Sequence, residues 1–288
     1  MSHGQWKMGN GLAPLSATQL LELWEQGQQA SPLQQALLLL TAACPAYTAE
    51  QLAHLPIGQR DALLIQLRAW TFGPQLVSVV NCPRCAERLE FTLESNTLLL
   101  APPTDGGEPP DTFSLQADGY AVTFRLPTSV DLAAIALLAD TATAQQQVLA
   151  RCLLTAHTGV ELGSKAGETE MDAPGSPVPL EQLPPTVLAA VQERMAAADP
   201  QADLQVALTC PACAEEWNAF FDIVTFFWRE LDDWARRTLR EVHLWPAPTA
   251  GVKVRSWRSA LGAVVPIWSW WGREACNVMR DLGLFCLS

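Results

Sequence analysis

The apolar residues in the N-terminal part of the chain recur at helical spacing. Ser16 and Gln19 form a capping box that starts a first helix, and this helix stops near Gly27. Ser31, followed by a proline, starts a second helix that runs to residue 43, and a third helix is predicted from residue 58 to residue 70. The pattern therefore predicts an α-helical region at this end of the chain.

Beyond residue 75 the apolar residues alternate instead, which is typical of strands. A β-rich run over residues 76–80 leads into Cys82, and alternating apolar residues at 89, 91 and 93 follow it. Residues 204, 206 and 208 alternate in the same way into Cys210, and aromatic residues at 217–221 form the returning strand. Another hairpin is predicted over residues 113–124, around the turn Ala117-Asp118-Gly119.

Helical patterns return between and after these strands. They predict helices from Thr128 or Ser129 to residue 138, over residues 143–157 and 186–197, and from the N-cap Asp222 onward. Residues 159–179 are rich in Gly, Ser and Pro with few apolar side chains, which predicts a flexible insertion. The fold class that follows is α+β.

Two Cys-Pro-x-Cys turns lie at the tips of two of the predicted hairpins, the one over residues 76–93 and the one over residues 204–221. Each turn offers two thiolates, and four thiolates complete the tetrahedral site that structural zinc prefers. We therefore predict that helices surround a split zinc ribbon made of two hairpins. In this prediction a structural Zn²⁺ is bound by Cys82, Cys85, Cys210 and Cys213. A redox dithiol is disfavoured, because such a pair normally opens a helix and both turns here run into extended sequence.

Composition and charge narrow the possible environments and partners. The chain has 288 residues, of which 49% are hydrophobic, and a formal net charge of -12. Such acidity argues against a nucleic-acid partner. The cysteines outside the two turns lack a disulfide framework, and no signal peptide precedes them, so a cytoplasmic location is expected. The apolar stretch 261–271 is too short to span a membrane, which needs about 20 residues.

No catalytic constellation is present in the sequence. The four histidines are far apart, and no phosphate-binding loop, dinucleotide fingerprint or nucleophile elbow occurs. The protein is therefore predicted not to be an enzyme. The aromatic stretch 220–228 is too rich for one helix face; packing in the core is favoured for it, and any exposed share would indicate a protein-binding patch.

Several separated motifs occur in an order that resembles one family. They are Gly58-Gln59-Arg60-Asp61-Ala62-Leu63-Leu64, Thr71-Phe72-Gly73, the two Cys-Pro-x-Cys turns, Phe221-Asp222-Ile223 with Trp228, and Trp234-Ala235-Arg236-Arg237. Over roughly Pro56 to His243 the chain resembles the T-even phage baseplate protein family, the baseplate hub assembly chaperones. The resemblance implies a non-enzymatic role in assembling the baseplate hub of a contractile phage tail or phage-tail-like injection system. The implied partners are baseplate or hub proteins.

Two other functions remain open on the sequence alone, as does the oligomeric state. A zinc-ribbon adaptor acting on nucleic acid or on transcription machinery would need a basic face, which the acidic composition makes hard to assemble. A dithiol oxidoreductase would need a thiolate of depressed pKa and turnover with a reductant.

The chain departs from the family pattern after His243. Residues 244–288 hold five of the eleven tryptophans and have no helical period, whereas the family continues with an amphipathic helix. Back-translation of residues 244–272 with permitted codons, moved by one nucleotide, gives such a helical pattern, so we interpret this tail as frameshifted. Sequencing the gene near the Val242 codon tests this. The predicted organisation is a helical region over 1–55, a zinc-ribbon and helical domain over 56–243, and the tail over 244–288.

Overall fold

The computed structural model describes residues 11–100, 110–138, 140–158, 176–179 and 182–244. In this part of the chain helices and small antiparallel sheets are mixed, so the α+β prediction is confirmed. The helices are α1 (Ala17–Gly27), α2 (Pro32–Ala43), α3 (Ala49–Ala53), α4 (Ile57–Phe72), α5 (Ser95–Leu98), α6 (Ser129–Ile135), α7 (Thr141–Cys152), α8 (Pro185–Ala198) and α9 (Ile223–Leu244). The strands are β1 (Gln75–Asn81), β2 (Arg88–Glu94), β3 (Phe113–Ala117), β4 (Tyr120–Phe124), β5 (Leu153–Thr158), β6 (Ser176–Pro177), β7 (Gln205–Thr209) and β8 (Glu216–Phe220).

These elements form two compact units. The hairpin unit contains residues 11–52, 61–99 and 204–244, and the sheet unit contains residues 53–60 together with the described residues from 100 to 203. Each unit is therefore assembled from separate stretches of the chain. The domain boundaries predicted at residues 55 and 243 stay predictions.

Three helices, α1, α2 and α9, contact one another in the hairpin unit. The capping box predicted at Ser16 is present, and Ser31 forms a second one with Gln34. Gly27 ends α1 next to Trp228 of α9, and a Cβ at this position would lie 2.1 Å from Cη2 of Trp228. A glycine is therefore needed here for a close approach of two helices.

Two separate antiparallel hairpins complete this unit. Strands β1 and β2 pair from Gln75 opposite Glu94 to Asn81 opposite Arg88, which leaves residues 82–87 as the connection. Strands β7 and β8 pair in the same way, with Thr209 opposite Glu216 as the last pair, and residues 210–215 connect them. Both connections therefore have the same length, and each contains one of the cysteine pairs.

The sheet unit is built on a four-stranded antiparallel sheet in the order β3-β4-β5-β6. Strands β3 and β4 are joined by the predicted turn, in which Asp118 and Gly119 have φ values of +50° and +76°, as a two-residue hairpin loop of the primed type requires. Phe124 of this sheet is fully buried and belongs to one apolar cluster with Val187 and Val191 of α8. Helix α8 thus covers one face of the sheet.

A buried carboxylate joins β4 to α6 and α7 in the sheet unit. Asp131 is 0% exposed and accepts two hydrogen bonds from the Arg125 guanidinium, at 2.6 and 2.9 Å, and one from Nε of Arg151 at 3.0 Å. It also accepts from the backbone N–H and the hydroxyl of Thr128, at 3.0 and 2.9 Å. Burial raises the pKa of Asp131, but these hydrogen bonds outweigh it and hold that pKa well below its usual range.

Two predicted helices were too long. The helix predicted to residue 138 ends at Ile135. The sequence pattern also predicts a helix over residues 143–157, but α7 ends at Cys152 and residues 153–158 form β5, which pairs with β4 from Tyr120 opposite Thr158. Strand β4 exposes a row of backbone donors and acceptors that need a partner, and this pairing overrides the local helical pattern.

Several predictions fall wholly or partly outside the described residues. The predicted tail 244–288 lies outside them apart from residue 244, which ends α9. The predicted flexible insertion also lies outside them apart from its last residues, of which Ser176–Pro177 pairs with β5. No helix in the described part of the chain is both long enough and apolar enough to cross a membrane.

Candidate metal centre

The first cysteine turn is built by backbone hydrogen bonds at the tip of β1 and β2. The N–H of Cys82 donates to the carbonyl of Glu87 at 2.8 Å, and the N–H of Ala86 donates to the carbonyl of Cys82 at 2.9 Å. Ala86 has a φ of +59°, a left-handed conformation that is uncommon for residues other than glycine. This turn directs the sulfurs of Cys82 and Cys85 to the same side.

The second turn repeats this construction. The N–H of Cys210 donates to the carbonyl of Glu215 at 2.8 Å, and the N–H of Ala214, whose φ is +56°, donates to the carbonyl of Cys210 at 2.9 Å. The two turns share the pattern Cys-Pro-x-Cys-Ala-Glu, which is longer than the four residues recognised in the sequence analysis. In each turn an alanine and a glutamate follow the second cysteine. This shared pair is the sequence signal from which a common geometry of the two turns could have been predicted.

The four sulfurs form one compact cluster. The Sγ atoms of Cys82 and Cys213 are 3.6 Å apart, as are those of Cys85 and Cys210, and all four Sγ atoms lie within 4.8 Å of one another. A tetrahedral zinc ion with Zn–S bonds of about 2.3 Å separates its sulfurs by about 3.8 Å. The cysteines named from the sequence are therefore brought together at a spacing that fits such an ion.

The electrostatics of the cluster favour a cation. Burial raises the pKa of Cys82, but backbone N–H groups of Cys85 and Arg84 hydrogen-bond its sulfur, and they and the neighbouring thiols lower that pKa to about 7. For Cys85 the N–H of Glu87 lowers the pKa, yet the thiol of Cys213 and other neighbours raise it to about 12. Four thiols this close cannot all lose their protons unless a positive ion compensates the charge.

The donor set also limits what the centre can do. Four soft thiolates select zinc or a similar thiophilic ion, and a ring of four sulfurs leaves no open position for a substrate or water. Cys82 and Cys210 are buried, Cys213 is partly buried, and Cys85 is exposed. Such a cluster could hold one metal ion between two hairpins from distant parts of the chain.

A buried ion pair in the same unit was not foreseen. Arg68 is only 2% exposed, and it donates to Glu230 at 2.5 and 2.7 Å and to the carbonyl of Gly73 at 2.7 Å. Its guanidinium also lies over the ring of Phe226, 5.5 Å from the centroid. This network holds the end of α4 against α9. No signal in the sequence pairs two charged residues 162 positions apart.

The aromatic stretch divides between core and surface. Phe221, Phe226 and Phe227 are buried, and the ring centroids of Phe221 and Phe226 are 5.5 Å apart. Phe220 is 63% exposed at the end of β8. Most aromatic residues of the stretch 220–228 therefore pack in the core, and Phe220 is the one that is largely exposed.

Two glycines of the recognised motifs have identifiable structural reasons. The N–H of Gly58 donates to the carboxylate of Asp199 at 2.9 Å in the sheet unit, and a Cβ at Gly58 would lie 1.8 Å from Oδ1 of Asp199. Gly73 follows α4 with a φ of +94°, the left-handed conformation that commonly ends helices. These motif residues therefore serve the fold.

Fold and site together define an α+β protein with a four-cysteine candidate metal centre shared by two hairpins. The sequence profile of one family, described as T4 bacteriophage base plate protein, matches residues 16–228, which is most of the chain. The chain belongs to this family, and the resemblance found in the sequence is confirmed. The match begins in front of α1, so it includes the N-terminal helices that the resemblance from Pro56 onward left out. No curated protein and no solved structure matches the chain.

Proposed function

We propose that this protein is a non-enzymatic assembly factor for the baseplate hub of a contractile phage tail or phage-tail-like injection system. Membership in a base plate protein family supports a role beside other baseplate proteins. It would act in the cytoplasm of the producing cell, bind baseplate or hub proteins, and carry structural zinc in a split zinc ribbon. The closed four-sulfur geometry, with all Sγ atoms within 4.8 Å, is the observation that supports a structural metal.

The chain's own residues explain what the metal would contribute. Cys85 and Cys210 are separated by 125 positions, and two-stranded hairpins are marginally stable by themselves. One ion held by Cys82, Cys85, Cys210 and Cys213 would tie the two hairpin tips together and fix their relative position. The exposed Arg84–Glu215 pair, at 3.4 Å, bridges the same two tips. A rigid pair of hairpins is a surface on which a hub protein can dock.

The metal assignment is tested by the zinc content of purified protein. We expect one zinc per chain in the wild type, and a Cys82→Ser variant that binds less zinc and unfolds at lower temperature. Cys44→Ser is the matched control, because Cys44 is a buried cysteine of the same unit that lies outside the cluster. Zinc at wild-type stoichiometry in Cys82→Ser would refute the assignment.

The biological role is tested by affinity purification from the producing cell, with mass spectrometry of the captured proteins. Recovery of hub, spike or other baseplate proteins would support the assembly role and identify the client. Phe220→Ser provides a comparison, since this side chain is exposed and its loss leaves the core intact. Recovery of polymerase or nucleic acid without any tail protein would leave the metal site standing and overturn the function.

A further inference from the structure

The exposure of the four cysteines and the spacing of their sulfurs indicate that the cluster can also react with oxidants. The cluster has an inner and an outer sulfur in each turn, because Cys82 and Cys210 are buried while Cys85 is exposed and Cys213 is partly exposed. The sulfur contacts at 3.6 Å join the outer cysteine of one turn to the inner cysteine of the other. Oxidation of thiolates follows their exposure, so an oxidant would meet Cys85 first.

We propose that hydrogen peroxide converts this cluster into two disulfides across the hairpins, Cys85–Cys210 and then Cys82–Cys213, with release of the metal. The inference rests on the proposed zinc site. It makes the cluster a redox-sensitive clamp, in which a metal linkage between the hairpins is replaced by a covalent one.

The first disulfide forms in two balanced steps. The Cys85 thiolate attacks one peroxide oxygen, the O–O bond breaks, Cys85 becomes a sulfenic acid, and the departing hydroxide takes a proton to become water. The Cys210 thiolate then attacks the Cys85 sulfur, the S–O bond breaks, and the second hydroxide leaves as water after protonation. Two sulfurs lose two electrons in total, and one peroxide is reduced to two waters.

A second peroxide repeats these steps at Cys213 and Cys82. Cys213 is the more exposed of the two, and its sulfur lies 3.6 Å from that of Cys82. Two peroxides per chain therefore consume all four thiolates, and a metal ion held by them is left without ligands. A dithiol reductant reverses both disulfides and restores the metal site.

The pairing has a structural consequence. A Cys85–Cys210 disulfide closes a loop of about 125 residues, whereas a Cys82–Cys85 disulfide closes only its own turn. Cross-linking distant positions constrains the unfolded chain far more than cross-linking neighbours does. The oxidised chain would therefore keep its hairpins joined after the metal is lost, and it would migrate faster than the reduced chain in a denaturing, non-reducing gel.

The sequence provides a direct test of the pairing. Trypsin cuts after Arg84, so Cys82 and Cys85 fall on separate peptides, residues 69–84 and 85–88, while Cys210 and Cys213 share residues 195–229. The zinc-loaded full chain is treated with one and with two equivalents of peroxide, free thiols are blocked, and unreduced digests are analysed by tandem mass spectrometry. Fragments formed between Cys210 and Cys213 show which of these two cysteines carries each link. Released zinc is followed with a chromogenic chelator.

With one equivalent we expect peptide 85–88 joined to 195–229 through Cys210. With two equivalents we expect all three peptides joined, peptide 69–84 through Cys213, with loss of one zinc per chain. A link from Cys85 to Cys213 would overturn the pairing. Peptide 69–84 joined to 85–88 alone, with a closed loop inside 195–229, would show pairing within the turns and overturn the proposal. Sulfinic acids without disulfides, or zinc that stays bound, would also overturn it. A chain purified without zinc would instead overturn the metal site itself, so the two failures are distinguishable. Cys44→Ser, which leaves the cluster intact, should behave as the wild type.

Discussion

Replacing Glu230 by glutamine should strongly destabilise the hairpin unit. Glu230 accepts two short hydrogen bonds from Arg68, whose side chain is 2% exposed. A glutamine of the same shape has one acceptor oxygen, and its NH₂ group would face a guanidinium donor. Removing one partner of a buried ion pair leaves an uncompensated charge and costs about 3–5 kcal/mol. The total stability of a domain is only about 5–15 kcal/mol, so this loss is large.

The assay is denaturant-induced unfolding at constant zinc, followed by far-UV circular dichroism with linear extrapolation to water. Arg84→Gln is the matched control, because Arg84 forms its ion pair with Glu215 at 3.4 Å while 66% exposed. An exposed pair of this kind contributes about 0–1 kcal/mol, so the control should unfold close to the wild type. The contrast between the variants isolates the effect of burial.

A second variant tests whether the lost stability comes from the unpaired buried charge. Replacing both Arg68 and Glu230 by methionine removes the charges together and keeps apolar volume, so most of the lost stability should return. A Glu230→Gln variant that loses less than about 1 kcal/mol would refute the reasoning, because the pair would then behave like a surface ion pair.

Two further predictions concern packing and pH. Gly27→Ala should cost about 1–3 kcal/mol, because the new Cβ would lie 2.1 Å from Trp228. Combining it with Trp228→Leu should recover part of this loss, and strictly additive losses in the double-mutant cycle would contradict the contact. Asp131→Asn should cost about 1–3 kcal/mol at neutral pH, since its arginine partners are partly solvated. The folded-state pKa of Asp131 is depressed, so its stabilisation is present above the unfolded pKa of about 3.9 and is lost as pH falls towards the folded value. The wild-type advantage measured by thermal unfolding should therefore shrink between about pH 4 and pH 2, and parallel pH curves for the two proteins would count against this assignment.

The sequence predicted those elements whose signals are local. The capping box at Ser16, the N-cap at Ser31, the turn at Asp118-Gly119 and the start of α9 after Asp222 all depend on residues within four positions of one another. The hairpins around both cysteine turns were predicted for the same reason, since alternation and turn residues lie side by side in the chain. The end of α7 was wrong because residues 153–158 pair with β4, a partner that local periodicity does not register.

The same distinction between local signals and long-range contacts applies to the candidate metal centre. The presence of four cysteines in two similar turns could be predicted from the sequence, because each Cys-Pro-x-Cys turn is contained in four consecutive residues. The tertiary structure alone shows that the sulfurs lie within 4.8 Å of one another, which of them are exposed, and that Arg68 of α4 pairs with Glu230 of α9. These facts depend on contacts between residues more than a hundred positions apart, and such contacts are selected by the free energy of packing the whole unit, which no local pattern encodes.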